Sequence, residues 1–425
     1  MEDAALAGAG APPGRAGGFT DWLPGAAELR RSTAETFLEC FLAWGYGLVA
    51  TPLLEPLETI ARGVGEAGQQ GLFRFMDADG ALVALVGERT VSVARVVATQ
   101  LREADRPLRL AYAGPVLRNQ ALLGGRRRET QQAGCELIGS AGLGADAECV
   151  ALAAAALRGV GLTAVQIDVG HADFLPGLLE SAGLATPDRT AVLDALRRRN
   201  LVAVEAALEG TAAGAAERDL LLRFPGLRGG HDLLDAAAAG LRAERPRRVL
   251  SELSRFWDLL MAHGLDGIVH LDLGAVRDWD YYTGPIFELF SGDLGFPLGG
   301  GGRYDGLLGH FGPPEPATGF VLQVDRCVDA LRRGATVAAP AAGRRLRVAH
   351  APGREADAIR VAATLRSGSG GDAVVVCDLE ACPAPPPGAA AYVSADGTQL
   401  RCEEGRWIAA AAGPPPGMAP DTLRR

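Results

Sequence analysis

Apolar positions recur at helical spacing over residues 26–44 and stop at Gly45, after which 48–53 reads as a strand carrying Pro52. Strand patterns at 72–76 and 81–86 precede an Arg-bearing helix at 90–103, and a strand at 108–118 finds its partner at 130–139. An Ala-rich helix over 145–158 leads into a strand at 164–169. From 174 to about 264 the pattern is helical with almost no strand signal, which predicts a helical insertion. Strands return at 268–273 and 283–290, followed by a Gly-rich turn and a closing helix at 324–331. Strands in hairpins with helices set between them predict an α+β fold, an antiparallel sheet flanked by helices.

Composition adds the boundaries. Residues 1–18 are rich in Gly, Ala and Pro without a period and predict a flexible tail, so the core is expected over 19–332. The stretch RGATVAAPAAGR, 333–344, reads as a linker, and 345–425 as a small C-terminal α/β domain with a Pro/Gly-rich end. The 425 residues carry a formal charge of −9, which gives no chain-wide footprint for a polyanion and argues against nucleic acid as the partner. All 42 basic residues are Arg. Without Lys there is no Walker A lysine, no Schiff-base amine and no kinase strand lysine, so those reaction classes fall away. The seven Cys are scattered without C-x-x-C, and the six His show no metal-ligand spacing. No metal or cofactor is expected. With no run of eighteen apolar residues and no basic region ahead of an apolar one near the N-terminus, the expectation is a cytoplasmic protein without a membrane segment.

Three stretches carry candidate chemistry. In 109–139 two strands flank a loop that presents Arg126, Arg127 and Arg128, a set suited to a phosphate or carboxylate or, equally, to a solvated basic turn. On the returning strand Gln132, Gly134 and Glu136 share one face, and Gln132 to Glu136 spans roughly 13 Å, leaving a gap of about amino-acid size between inward-reaching side chains. A buried Glu136 wants a donor, and an ion pair with Arg118 or Arg277 is the structural alternative. In 271–290, Arg277 precedes Tyr281 and Tyr282, which on a strand would point to opposite faces, one packing and one lending its hydroxyl to a pocket. The third stretch sets four Gly before Arg303 and Tyr304, allowing backbone to come close to a ligand or another strand.

Together these stretches resemble the class II aminoacyl-tRNA synthetase core, specifically that of histidyl-tRNA synthetase and its non-aminoacylating relative, the regulatory subunit of ATP phosphoribosyltransferase. WGYGLVATPLLEPLE looks like the first motif, GPVLRNQ through QQAGCELIG the second, RDWDYYTGPIFE a histidine-pocket segment, and GGGGRYDGLLGHFGPPEPATGFVLQVDR the segment through the third motif, ending in Arg326. The resemblance covers about 19–332. It implies Glu88, Thr90 and Gln132 around an α-amino group, Glu136, Tyr282 and Tyr304 toward an imidazole with Tyr281 beside them, and Arg118 and Arg277 on the carboxylate side. Arg126, Arg128 and Arg326 would be residual nucleotide or anion contacts. Gln120 stands where the synthetase has Glu, Thr130 where an aromatic covers adenine, and V-G-E-R-T at 86–90 where it has R-P-E-G-T. These departures imply an eroded adenylate site and favour the regulatory relative. Its partner by resemblance is the short-form catalytic subunit, in a hetero-octamer that needs this chain for activity and responds to free histidine. An active histidyl-tRNA synthetase with a diverged tail is the alternative, and a paralogue for another small amino acid a third.

Overall fold

A computed structural model describes residues 14–122, 127–211, 213–274, 281–292, 294–334, 346–368, 374–376, 384, 391–396, 398–403 and 406–409. Arg126 and Arg277 lie outside the described residues, as do residues 1–13 and 335–344. The chain forms two units, 1–337 and 338–425.

In the first unit α1 (Ala26–Ala43) has Glu28 in its first turn, where the helix dipole favours an acid, and ends before Gly45, whose φ of 86° only glycine adopts freely. The strand expected at 48–53 is split. Pro52 has no N–H for a ladder, so β1 (Gly47–Leu48) joins the main sheet while β2 (Leu54–Pro56) enters a separate three-stranded sheet. Then come α2 (Leu57–Gly63), α3 (Glu66–Gln70), the hairpin β3 (Arg74–Met76) and β4 (Leu82–Leu85), and α4 (Thr90–Thr99). The long hairpin β5 (Leu108–Leu117) and β6 (Glu129–Ile138) is followed by α5 (Leu143–Gly159) and β7 (Val165–His171).

Between β7 and the next long strand lie α6 (Phe174–Ser181), α7 (Thr186–Arg197), α8 (Leu201–Leu208), α9 (Ala215–Arg223), the two-residue strand β8 (Arg228–Gly229), α10 (Asp232–Ala238) and α11 (Glu244–Ala262). The chain returns through β9 (Val269–Asp272), β10 (Pro285–Ser291), β11 (Gly299–Arg303), β12 (Ala317–Gln323) and α12 (Val324–Arg333).

The main sheet has nine strands in the order β1-β5-β6-β12-β11-β10-β7-β9-β8. It is antiparallel through its middle, with β1 parallel to β5 and β7 parallel to β9. The pleat of β6 divides two chemistries. Ala133, Cys135 and Leu137 join the large core with Phe37 and Phe41 of α1 and the alanines of α5, and Phe41 meets Phe320 of β12 edge-on at 5.5 Å. Alanine along α5 lets that helix lie close to the sheet. The opposite face carries Gln132, Gly134 and Glu136 toward α4 and the small sheet, beside a second core of Val91, Val97, Tyr112 and Leu307.

The expected Gly-rich turn is strand β11, in the middle of the sheet. Its glycines meet a packing constraint: a Cβ at Gly301 would lie 2.0 Å from the Gly319 carbonyl oxygen, and one at Gly299 2.3 Å from that of Val321. Any side chain there would force the strands apart.

The second unit holds β13 (Leu346–His350), α13 (Glu355–Gly368), β14 (Val374–Val376), β15 (Ala391–Val393), β16 (Gln399–Glu403) and β17 (Arg406–Ala409) in a sheet ordered β14-β13-β15-β16-β17. The terminal hairpin β16–β17 has no counterpart in the sequence reading, although β16, QLRCE, alternates polar and apolar residues over its five positions.

Gly301→Ala is expected to lower the unfolding free energy by about 1–3 kcal/mol through overpacking. Gly306→Ala, where nothing lies within 4 Å of the new methyl, should stay within roughly 0.5 kcal/mol of the parent in the same urea titration.

Candidate functional site

The polar face of the main sheet closes into a cavity of about 240 Å³, below the ~300–1,000 Å³ of drug-sized sites and suited to an amino acid. Its centre is Glu136, 1 % exposed. Tyr112 donates its hydroxyl to one carboxylate oxygen at 3.1 Å, Tyr304 donates to the other, and the Thr90 hydroxyl approaches from the start of α4. Among the described residues no guanidinium supplies the donor that an ion pair would have given; Arg277 lies outside them. Burial therefore dominates and lifts the carboxyl to about 8, the three hydroxyls holding it down in part and the neighbouring Glu88 adding repulsion.

Space for this cluster comes from missing side chains. In the register Gly134 lies opposite Tyr112 and Gly319 opposite Glu136. A Cβ at Gly134 would stand 2.7 Å from the Tyr112 hydroxyl, and one at Gly319 2.0 Å from a Glu136 oxygen.

Glu88 precedes α4 and is also buried. Its carboxylate accepts from the Val91 amide at 3.3 Å and from the Tyr281 hydroxyl at 3.1 Å. Burial raises its carboxyl above the ordinary range, and the Arg118 charge offsets part of that rise. Arg118, just past β5, donates Nε to the Gly87 carbonyl at 2.8 Å. Gln132, 2 % exposed, lines the cavity beside them.

Tyr281 and Tyr282 do not alternate across a strand. They sit in a turn ahead of β10, free of the pleat, with ring centroids 4.8 Å apart, and both face the cavity. Tyr281 also meets Tyr304 edge-on at 5.9 Å.

Thus Glu88, Thr90, Arg118, Gln132, Glu136, Tyr281, Tyr282, Tyr304 and Arg326 converge on one cavity. Arg128 does not. Its Nε donates to the Gln120 carbonyl at 3.2 Å, and its backbone amide is bound by the Gly18 carbonyl at 2.8 Å. Arg127 ion-pairs with Asp329 of α12 at 3.0 Å and lies over the Trp22 ring, whose centroid is 5.2 Å away. Arg127 and Arg128 are thus held by the segment ahead of α1, by α12 and by Gln120, while Arg126 lies outside the described residues. Arg326 donates to the Pro297 carbonyl at 2.7 Å and lies 5.7 Å over the Phe296 ring.

Sequence reasoning missed Tyr112, Arg89, Glu288 and Gln323 on the cavity wall. Tyr112 was reachable: pairing the two strands of the 109–139 hairpin places it opposite Gly134. Arg89 left no local signal, since its partners Thr51 and Pro115 are 38 and 26 residues away.

The histidyl-tRNA synthetase family model matches residues 18–327. The ATP phosphoribosyltransferase regulatory subunit of Moorella thermoacetica is 40% identical over 77% of this chain and 83% of its own length, and that of Symbiobacterium thermophilum 40% identical over 82% and 88%. The chain belongs to the family of ATP phosphoribosyltransferase regulatory subunits. A solved structure described as an ATP phosphoribosyltransferase regulatory subunit/histidyl-tRNA synthetase from Bacillus halodurans superposes with a TM-score of 0.75 at 31% identity, covering 85% of this chain and 92% of that one. The histidyl-tRNA synthetase of Nostoc shares the fold alone, with a TM-score of 0.73 at 20% identity. The regulatory-subunit fold is therefore the class II synthetase fold, α+β, with a small C-terminal sheet unit.

In this regulatory subunit the raised Glu136 carboxyl makes stability depend on pH with a definite sign. The folded protein keeps a proton that the unfolded chain releases near 4.5, so the stabilisation is complete below 4.5 and is lost as pH rises through about 8. Melting temperatures of the wild type and Glu136→Gln, compared from pH 5 to 8.5, should show the wild type losing a few degrees more than the variant; parallel curves would contradict this.

Proposed function

We propose that this chain is the non-catalytic regulatory subunit that the short-form catalytic subunit of ATP phosphoribosyltransferase requires, and that its cavity binds free histidine as the feedback effector. One observation carries the reading. The cavity keeps acids, hydroxyls and a carboxamide at amino-acid spacing, while Arg128 and Arg326, two of the arginines expected at a nucleotide, are engaged by the protein itself. Free histidine offers an ammonium, a carboxylate and two ring nitrogens, and paired carboxyls, hydroxyls and guanidiniums match them. Glu88, Thr90 and Gln132 take the ammonium side, and Glu136, Tyr282 and Tyr304 the ring. Arg118, with Arg277, takes the carboxylate. Gln120 and Thr130, in place of the charged and aromatic adenine contacts of a synthetase, support the absence of aminoacylation.

Feedback then requires histidine to bind two states of the assembly with different affinity, since a ligand that binds both equally shifts nothing. The subunit works in a hetero-oligomer, by resemblance a hetero-octamer, in the cytoplasm. No helix among the described residues is long and apolar enough to cross a membrane.

Reconstitution tests the assignment. Purified chain added to the short-form catalytic subunit should raise its rate, and histidine should suppress the raised rate; an unchanged rate would refute the regulatory role. The chain alone should give no histidine-dependent ATP–pyrophosphate exchange, and robust exchange would establish the synthetase instead. Glu88→Gln should weaken histidine binding about 10–100-fold in calorimetry by removing a charged partner of the ammonium.

A further inference from the structure

Arg89 is the one residue of the cavity wall whose charge the protein leaves unanswered among the described residues. It is 6 % exposed. Its Nη1 donates to the carbonyl and hydroxyl of Thr51 at 3.3 and 3.1 Å, and its Nη2 to the Pro115 carbonyl at 2.9 Å. A guanidinium has five N–H donors, so at least two remain, and Nε–H is buried with no partner. All its acceptors are neutral, and burial draws its pKa down. Buried charges in folded proteins are ordinarily paired, because desolvating one without a counter-charge is costly. Arg118, by contrast, already has Glu88 beside it.

The guanidinium is placed on the ligand-bearing face of the sheet. A Cβ on Gly114 would lie 2.3 Å from Nη2 and 2.9 Å from Nε of Arg89. Gly114 pairs in register with Gln132, so the direction of that missing Cβ is the direction of the Gln132 side chain, into the cavity. Gly114 thus gives the guanidinium room beside Gln132, and a planar fork with open donors is matched to a carboxylate.

We propose that Arg89 is a specificity-determining residue that joins Arg118 on the carboxylate of the bound amino acid, near Gln132, which reaches the ammonium on the same α-carbon. The proposal rests on the histidine reading of the site and adds to it the residue that makes the carboxylate obligatory. It also gives the ligand a structural effect: the incoming carboxylate neutralises a buried cation that ties together Thr51, α4 and β5.

The test is calorimetric titration of the full chain with L-histidine and with L-histidinol, which keeps the ammonium and the ring and lacks the carboxylate. Wild type should prefer histidine by about 10–100-fold, the range for a charge-assisted contact. Arg89→Met should lose that preference, with histidinol affinity changed less than about threefold and Arg89→Lys restoring part of it. Gly114→Ala retains the charge but displaces the guanidinium, and it should erase the preference too, which keeps the test decisive where Arg89→Met fails to fold. A preference that persists in Arg89→Met or Gly114→Ala, or an equal loss for both ligands, would overturn the proposal while leaving histidine binding intact. Wild type that binds neither ligand would overturn the histidine reading and this proposal with it.

Discussion

The site depends on keeping side chains away from the middle of a sheet so that a buried carboxyl can stand there. Glu136 accepts from both neighbouring tyrosine hydroxyls; that of Tyr112 has room only because Gly134 lacks a Cβ, and the carboxylate itself only because Gly319 does. The strand beyond, β11, contributes four glycines in a row and approaches β12 so closely that any other residue would push the two apart. What reads locally as a weak, flexible stretch is held rigid by a ladder on both sides. Glycine is conformationally costly in a strand, and here the cost is offset by a cavity with fixed polar walls.

The β5–β6 hairpin shows how one supersecondary unit can serve two opposite roles. Its sheet end supplies Tyr112, Gln132 and Glu136 to the cavity. Around its turn, Arg127 and Arg128 are drawn into contacts with Trp22, Asp329, Gly18 and Gln120. Trp22 has Arg30 over its ring as well, at 5.0 Å, and Arg30 ion-pairs with Asp325 at 2.6 Å. The segment before α1, the hairpin turn and α12 are therefore fastened together by cation–π and charge-assisted contacts. A charge committed to such a network is poorly available to a mobile phosphate.

An occupied cavity can act on the rest of the unit only through the elements that wall it. The cavity walls come from the start of α4 and the turn before it, the β5–β6 hairpin, β10 and the turn before it, β11, β12 and α12, so filling it touches five adjacent strands of the main sheet and two helices. Glu88, Glu136 and Arg89 are buried along the wall of one low-dielectric space, so a zwitterion placed there would change several strong interactions at once.

The fold class was legible because the signals that set it are local: helical spacing into Gly45, the paired strands at 108–118 and 130–139, and the helical stretch after 174. Glu136 and its strand-mates were legible for the same reason, since the pleat fixes which residues share a face. The errors fall where sequence neighbours stop determining geometry. Tyr281 and Tyr282 leave the strand and so escape its alternation, the glycines at 299–302 turn out to be ladder and not turn, and Arg127 of the hairpin is claimed by Trp22 and Asp329 from distant parts of the chain. The sequence by itself determined the elements, the face they share and the residue types at the site. Only the tertiary structure decided which charges remain unpaired, because pairing in a buried site is set by contacts between residues far apart in the chain.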